Sequence, residues 1–369
     1  MMTNEMKLQR DWTLGRFLAG VLAPSDFLNH SSISIITILL TYRCPAACSH
    51  CVFESSPSNH AAVDMDVAYK LVEAAARQSP PPVLGFSGGE PFLRLREMRD
   101  LAAFAAERGM PSEVVSSSAW AKSEAYAEKV LAELRDVGLQ SYCTSVDLFH
   151  TPFVPPEKMA WALRAAKRVG LNTIINFQAV AEHPKDRADM LGMIGDILDM
   201  APEEVDTYQI NPLITTPVGR ARSDVEEFHY DPGKKMDEGC PMATEVITLS
   251  PYGFLYPCCG MVVGEKPEMA DLFIQDSLRD KSVDEIADIL HHLKSDLFFR
   301  MLQSVGPLAI LKELQRRDPS LTISDKYVGF CDVCLEFTQN PRIAAATRDL
   351  MQEFGAIINA EPKPVTVLA

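Results

Sequence analysis

Cys44, Cys48 and Cys51 are spaced C-x3-C-x2-C directly after the apolar run Ile33 to Leu40. Three thiolates on one short loop can hold three corners of a cubane 4Fe-4S cluster and leave the fourth iron open. Clusters used only for electron transfer normally have four cysteines, so the open corner points to chelation of a small molecule and to catalysis. A structural zinc site wants four ligands, usually in two separated pairs, and a disulfide framework belongs to short secreted chains. The trio fits neither.

Further groups able to do chemistry follow at intervals. Gly88-Gly89-Glu90-Pro91 pairs two glycines, which let backbone approach a ligand closely, with a carboxylate that can accept hydrogen bonds from an ammonium group. Ser145 and Asp147 alternate and therefore face one side of a strand, with His150 shortly after as a candidate acid or base. Ser116, Ser117, Ser118 and Gln178 sit at or near strand ends, and Pro217-Val218-Gly219-Arg220-Ala221 combines a turn glycine with an arginine that suits either a buried fork or a carboxylate grip.

The elements that must position these groups alternate strand and helix, the signature of a parallel sheet with helical crossovers. Strands are expected over Ile33 to Thr41, Val83 to Phe86, Glu113 to Ser117, Gln140 to Val146, Asn172 to Val180 and Asp206 to Pro212. Helices are expected over Asp64 to Arg77, Arg94 to Arg108, Lys122 to Asp136, Pro156 to Arg168 and Asp186 to Met200. Each chemical group then falls at the carboxyl end of a strand, where barrel enzymes collect their chemistry.

The three-cysteine loop after a first strand, Pro45 within it, and the GGEP segment after a second resemble the radical S-adenosylmethionine (radical SAM, AdoMet) superfamily. That resemblance implies an α/β fold, a partial (β/α)6 TIM-type barrel. It also implies AdoMet bound through its amino and carboxyl groups at the open iron of a [4Fe-4S] cluster on Cys44, Cys48 and Cys51. Reductive cleavage of AdoMet to a 5'-deoxyadenosyl radical would follow, with hydrogen abstraction from a substrate carbon. By the same resemblance, Gly88, Gly89 and Glu90 bind the methionyl amine, and Ser145 and Asp147 lie by the ribose and carboxylate. Ser117 and Gln178 are further cofactor contacts. Two departures stand out. His50 occupies a position before the third cysteine that is usually Tyr or Phe and packs near the adenine, and Thr151-Pro152-Phe153-Val154 follows Asp147 where relatives often carry an arginine.

A second cysteine set begins at Cys240, continues through Gly253 to Cys258, and closes with the C-x-x-C of Cys331 and Cys334. It resembles the opening of SPASM and twitch extensions, with a β-hairpin over Glu245 to Ser250 and Phe254 to Tyr256. The resemblance implies a small cysteine-rich β-hairpin and helical domain holding one auxiliary [4Fe-4S] cluster, since a full SPASM domain needs seven cysteines. A four-cysteine zinc ribbon is the alternative. Of nine cysteines, seven are thereby assigned; Cys143 and Cys259 remain. Cys143 lies on the same strand face as Ser145, and either thiol is a candidate hydrogen-atom donor, a role that cysteine plays in some peptide epimerases of the superfamily.

The 369 residues are 47% hydrophobic and 23% charged, enough for a barrel plus a smaller module. We expect an N-terminal helical extension at 1–32, the barrel at 33–222, the auxiliary module with a helical insertion at 223–340, and a closing helix and tail at 341–369. Apolar spacing predicts insertion helices over Val283 to Phe299 and Leu302 to Arg317, placed to cover the barrel mouth. A formal charge of −15 argues against nucleic acid. No apolar run reaches the roughly 20 residues needed to span a bilayer, and Trp12 to Ala23, interrupted by Arg16, is a poor signal segment. An oxygen-labile cluster implies the reducing cytoplasm.

Family analogy favours a ribosomally made peptide as substrate, modified by epimerisation, crosslinking or oxidation. The electron donor would be a flavodoxin or ferredoxin, and a separate protein would supply leader-peptide recognition, because the stretch before the barrel is too short for a winged-helix domain. The alternatives are dehydrogenation or epimerisation of a small metabolite such as an aminoglycoside-type sugar, and a non-catalytic iron-sulfur electron carrier.

Overall fold

A computed structural model describes residues 33–179, 184–230, 236, 238–258, 272–273 and 276–359. The expected N-terminal extension, Cys259 and the tail from Glu361 lie outside the described residues.

Nine strands form one open sheet in the order β6-β5-β4-β3-β2-β1-β7-β8-β9. β1 (Ile35–Thr41), β2 (Val83–Gly88), β3 (Ser112–Ser116), β4 (Leu139–Val146), β5 (Asn172–Ala179) and β6 (Gln209–Ile214) pair in parallel, each with its neighbour in sequence. They are the six strands of the partial barrel. Between them run α1 (Met65–Ala75), α2 (Leu95–Ala106), α3 (Glu124–Asp136), α4 (Pro156–Arg168) and α5 (Arg187–Leu198). The turn that closes the short α6 (Pro202–Val205) takes up Asp206 to Tyr208, the expected opening of β6, which therefore starts at Gln209.

Alternation divides each strand between two environments. Ile36, Ile38, Leu40, Leu84, Phe86, Val114 and Tyr142 pack into the main core with Val67, Leu71 and Leu101 of the covering helices, all at most 1% exposed. Each fully buried large apolar side chain contributes roughly 1.5–3 kcal/mol, more than an exposed ion pair such as Arg187–Asp206 supplies. The intervening positions, among them Glu113, Cys143, Ser145, Asn176 and Asn211, turn to the concave face. Register sets Ser145 opposite Asn176 and Asn176 opposite Asn211, and Asn211 Nδ2 donates to Asn176 Oδ1 at 3.2 Å.

After β6 comes the short α7 (Ala221–Asp224), and the expected hairpin follows as β7 (Val246–Leu249) and β8 (Phe254–Tyr256), turning at Gly253 with φ +84°. β7 also pairs in parallel with β1, so the hairpin continues the barrel sheet on the side opposite β6, with β9 (Asp276–Ser277) antiparallel beyond it. Two expectations for the insertion are corrected. What periodicity reads as two helices is three: α8 (Val283–Leu293), α9 (Leu297–Ser304) and α10 (Pro307–Arg317). Asp296 caps α9 by accepting from Phe299 N, and Gly306 in the left-handed region precedes Pro307 at the start of α10. Nor does α8 cover the mouth. It packs beside α1 in the outer layer, where Arg77 meets Asp284 at 2.7 Å. The chain closes with α11 (Phe330–Gln339) and α12 (Pro341–Asn359).

Candidate active site

All six barrel strands run the same way, so their carboxyl ends share one rim, and the cysteine loop leaves the sheet there after Thr41. Its backbone is tied into place: Cys44 N donates to Ser56 O, Cys51 N to Cys48 O, and Thr41 Oγ1 to Ala61 O. Cys44 and Cys48 are buried and Cys51 is half-buried, packed with Ala46, Phe149 and Val225. Burial, with smaller contributions from Glu90, Cys51 and Cys48, pushes the Cys44 thiol up to about 12. A thiol so placed resists ionising alone; a cationic metal core on the loop's sulfurs would offset that cost. The donor set therefore fits a cluster with one open iron.

Gly88 and Gly89 serve that loop directly. The sequence reading gives them to close approach by a ligand, but the partner they approach is backbone. A Cβ at Gly88 would lie 2.4 Å from Thr41 O, and one at Gly89 2.2 Å from Arg43 O, while Gly89 N donates to Thr41 O and Glu90 N to Arg43 O. Gly88 also has φ +122°, a conformation that side chains rarely adopt.

Glu90 is 1% exposed. Its carboxylate accepts from Ser116 Oγ at 2.9 Å, Ser117 N at 3.0 Å, Ser117 Oγ at 2.5 Å and Phe92 N at 3.2 Å. Burial raises its pKa above the ordinary value against the pull of those bonds. Trp120 Nε1 donates to Ser116 Oγ, and Ser118 reaches Tyr142 and Thr144, so the serine run ties the β2, β3 and β4 ends together.

At the end of β4, Asp147 is also 1% exposed and accepts from Phe149 N at 2.9 Å, His150 N at 3.0 Å and His150 Nδ1 at 2.9 Å. Burial works against its charge, but the His150 contacts prevail and hold the carboxyl below the usual range. Burial opposes the His150 cation too; the hydrogen bond to Asp147, the contact with Cys48 and the charges of both together outweigh it and lift the imidazole to about 10. His50 stands against this pair, stacked on Phe149 at 4.4 Å and edge-on to His150 at 5.0 Å. Burial drops it to about 4, leaving it neutral, and its buried Nδ1 has no hydrogen-bond partner among the described residues. Donor atoms of Cys48, His50 and His150 lie within 4.8 Å of one another.

Of the remaining candidates, Ser145 is half-buried on the concave face beside Asn176, and Gln178 Nε2 donates to Thr215 Oγ1 at 2.9 Å. Cys143 lies lower on that face; burial, then the charge of Glu113, pushes its thiol up to about 12. Arg220 is a fork onto carbonyls: Nη1 donates to Cys48 O and Nη2 to Ser55 O, both at 2.7 Å, while its backbone N donates to Cys51 O. Gly219 makes this approach possible, since a Cβ there would sit 2.4 Å from Val52 O. Sequence reasoning missed Phe149, Asn176 and Asn211. Asn176, two residues before Gln178, was reachable by strand alternation.

The second cysteine set also converges. Cys240 precedes β7, Cys258 follows β8, and Cys331 and Cys334 share a face of α11. The Cys334 thiol is raised well above its ordinary value by burial and then by Cys331, Cys258 and Cys240, so those three lie within electrostatic reach of Cys334.

Residues 38–194 match the Radical SAM superfamily. The chain therefore contains a radical SAM domain, a fold that implies AdoMet and one [4Fe-4S] cluster. It is similar to the "Putative peptide biosynthesis protein YydG" of Bacillus subtilis (strain 168), 22% identical over 307 residues, 81% of this chain and 90% of that protein. A PqqA peptide cyclase of Xanthomonas oryzae pv. oryzae is 36% identical over 115 residues, 30% of this chain and 28% of the cyclase. Fe-coproporphyrin III synthase of Methanosarcina barkeri is 27% identical over 201 residues, 46% of this chain and 48% of the synthase. Among solved structures, BtrN in complex with AdoMet and 2-DOIA matches at 13% identity and a TM-score of 0.43, covering 75% of this chain and 89% of BtrN. No described helix is long and apolar enough to cross a membrane.

Proposed function

We propose that the protein is a radical AdoMet enzyme that modifies a ribosomally made peptide by epimerisation, crosslinking or oxidation. The observation that carries the reading is the gathering of Cys44, Cys48 and Cys51 on one rim loop, against the glycine pair of GGEP and packed with Phe149, two residues after Asp147. The peptide class is supported by the similarity to YydG over most of both chains and to part of a PqqA peptide cyclase.

Cys44, Cys48 and Cys51 would hold the cluster whose open iron takes AdoMet. With AdoMet bound, the cofactors supply reductive cleavage of the sulfonium and a 5'-deoxyadenosyl radical. The chain's own part is binding and shielding. Gly88 and Gly89 seat the cysteine loop, Glu90 and Ser117 form an anionic polar wall for the methionyl amine, and Ser145, Asp147 and Gln178 line the ribose side. His50, neutral and flat, is available to the adenine. Phe149 closes one side of the cysteine loop, which keeps water from a site handling a carbon radical.

The same reading gives Cys240, Cys258, Cys331 and Cys334 to an auxiliary [4Fe-4S] cluster that accepts an electron from substrate; the convergence of the four thiols supports it. It also implies a small reductant protein such as a flavodoxin or ferredoxin, a separate leader-peptide-binding protein, and a reducing cytoplasm. The test is anaerobic reconstitution followed by AdoMet and dithionite. Wild type should hold about eight irons and release 5'-deoxyadenosine, whereas the Cys44, Cys48, Cys51→Ala triple variant should hold about four and release none. About four irons in wild type and none in the variant, with zinc present, would remove the auxiliary cluster from the reading.

A further inference from the structure

On the concave face of the sheet, register lines up Ser145 of β4, Asn176 of β5 and Asn211 of β6 as one polar row across three adjacent strands. Barrel interiors are ordinarily filled by Val, Ile and Leu, and asparagine is depleted in strands, so two paired asparagines there call for a reason. Packing is carried by the other face, where Ile175, Phe177 and Ile210 turn away from the row into an apolar cluster with Val146. Asn211 Nδ2 donates to Asn176 Oδ1 at 3.2 Å, and both side chains are half-buried. That bond leaves Asn176 Nδ2 as a donor and Asn211 Oδ1 as an acceptor, with no further hydrogen bond to the described residues. Turning over both amides would leave the same one donor and one acceptor. A purely structural amide ladder would be buried and satisfied, and the backbone already joins β5 to β6 over six residue pairs, from Ile174–Gln209 to Ala179–Ile214.

We propose that Asn176 and Asn211 grip the main chain of the substrate peptide, one amide accepting the N–H and the other donating to the C=O of a single extended residue. This deepens the peptide reading above and rests on it. An extended residue turns its own N–H and C=O to the same side, as it does in a hydrogen-bonded pair of antiparallel strands. The two asparagines offer the matching acceptor and donor on neighbouring strands about 4.8 Å apart. A sugar presents hydroxyls, each able both to donate and to accept, and has no need of such an ordered pair. Ser145, next in the row, is the residue read above as facing the ribose, so a peptide residue held at Asn176 is set one strand away from it. Cys143 shares that face two residues earlier in β4. Fixing both sides of an α-carbon in this way supplies orientation, the main contribution a protein makes when reactants must meet in one geometry. Because only main chain is held, the grip leaves the choice of side chain to other parts of the site.

The test uses full-length protein, anaerobically reconstituted, as wild type, Asn176→Leu and Asn211→Leu; leucine keeps the size of asparagine without its polar atoms. The probe is N-acetylalanine N'-methylamide, one residue with both main-chain amides. Its control is O-acetyllactic acid N'-methylamide, the same shape with an ester oxygen in place of the N–H. Binding is followed by NMR on protein whose asparagine side-chain amides are isotopically labelled, the two signals of interest being those missing from the variants. We expect both signals to move with the amide probe and binding to be about fivefold weaker for the ester and in each leucine variant, the worth of one net hydrogen bond. Signals unmoved by the amide probe, equal binding of amide and ester, or equal binding in both leucine variants overturns the proposal. Should a leucine variant not fold, the comparison of amide with ester in wild type decides alone. The two readings fail separately: wild type that forms no 5'-deoxyadenosine with AdoMet and dithionite overturns the proposed function, while the asparagine signals report the grip without turnover.

Discussion

The Arg220 guanidinium donates to the carbonyl oxygen of Cys48 at 2.7 Å, bridging the last turn of the barrel and the loop that leaves its first strand. A second nitrogen reaches Ser55 O, so one side chain spans both flanks of the last two cysteines. Lysine has a single ammonium on a flexible stem and cannot reproduce this fork. We expect Arg220→Ala to lose about 1.5–3 kcal/mol, the worth of one hydrogen bond to a charged group, and to retain less iron after reconstitution. Arg220→Lys should fall between. Urea unfolding of the apo protein and iron assays check both; wild-type iron retention in Arg220→Ala would mean that the loop holds its shape unaided.

The partial barrel and the hairpin after it were legible because their signals are local. Buried strands read as apolar runs, and amphipathic helices repeat every three to four residues. What escaped depends on distance in the chain. Nothing around Arg220 announces Cys48 as its partner, and nothing in Val246–Leu249 says that it will lie parallel to Ile35–Thr41. The same limit explains Gly88 and Gly89. Sequence shows that backbone comes close there, but only the fold shows that it is the backbone of Thr41 and Arg43. Val283 to Phe299 and Leu302 to Arg317 each read as one helix because apolar spacing persists across Asp296 and Gly306, where a cap and a left-handed φ set new helix starts.

Glu90 makes stability depend on pH in a defined direction. Its folded pKa lies above the ordinary 4.5, chiefly through burial. Above the folded pKa the native state carries a buried charge that the unfolded chain keeps in water, so the contribution of Glu90 is largest at low pH and shrinks as pH rises through the folded value. Glu90→Gln is neutral throughout. It should destabilise the apo protein most at mildly acid pH, through lost acceptors for Ser117, and less at mildly alkaline pH. Urea midpoints at both conditions check this, and a gap that widens on raising pH contradicts it.

The C-terminal thiols yield a count. If Cys240, Cys258, Cys331 and Cys334 share one cluster, Cys334→Ser and Cys258→Ser should each bring reconstituted protein from about eight irons to about four while leaving AdoMet cleavage by dithionite-reduced enzyme in place. Cys259→Ser should keep all of them, since the spacing from the Gly253 turn favours Cys258 over its neighbour; the opposite result would make Cys259 the ligand. Zinc in equal measure with the chain, unaffected by reconstitution, would identify a ribbon instead.

Cys143 separates the reaction types. It points to the concave face, and burial keeps its thiol protonated well past neutral pH, with the Glu113 charge adding to the effect. A protonated thiol can give a hydrogen atom to a substrate carbon radical: one S–H bond breaks, one C–H bond forms, and the sulfur radical left behind is restored by an electron from the reductant and a proton from water. Epimerisation uses that sequence, whereas crosslinking and oxidation end with two hydrogens lost. On a peptide that the enzyme turns over in heavy water, we expect one deuterium per product in wild type. Cys143→Ala should still form 5'-deoxyadenosine but incorporate no deuterium. If incorporation persists in Cys143→Ala and stops in Cys259→Ala, the donor is Cys259. If it persists in both, thiol repair is not how this enzyme closes its cycle, and a product lighter by two hydrogens would point to the auxiliary thiols as the route for the substrate electron.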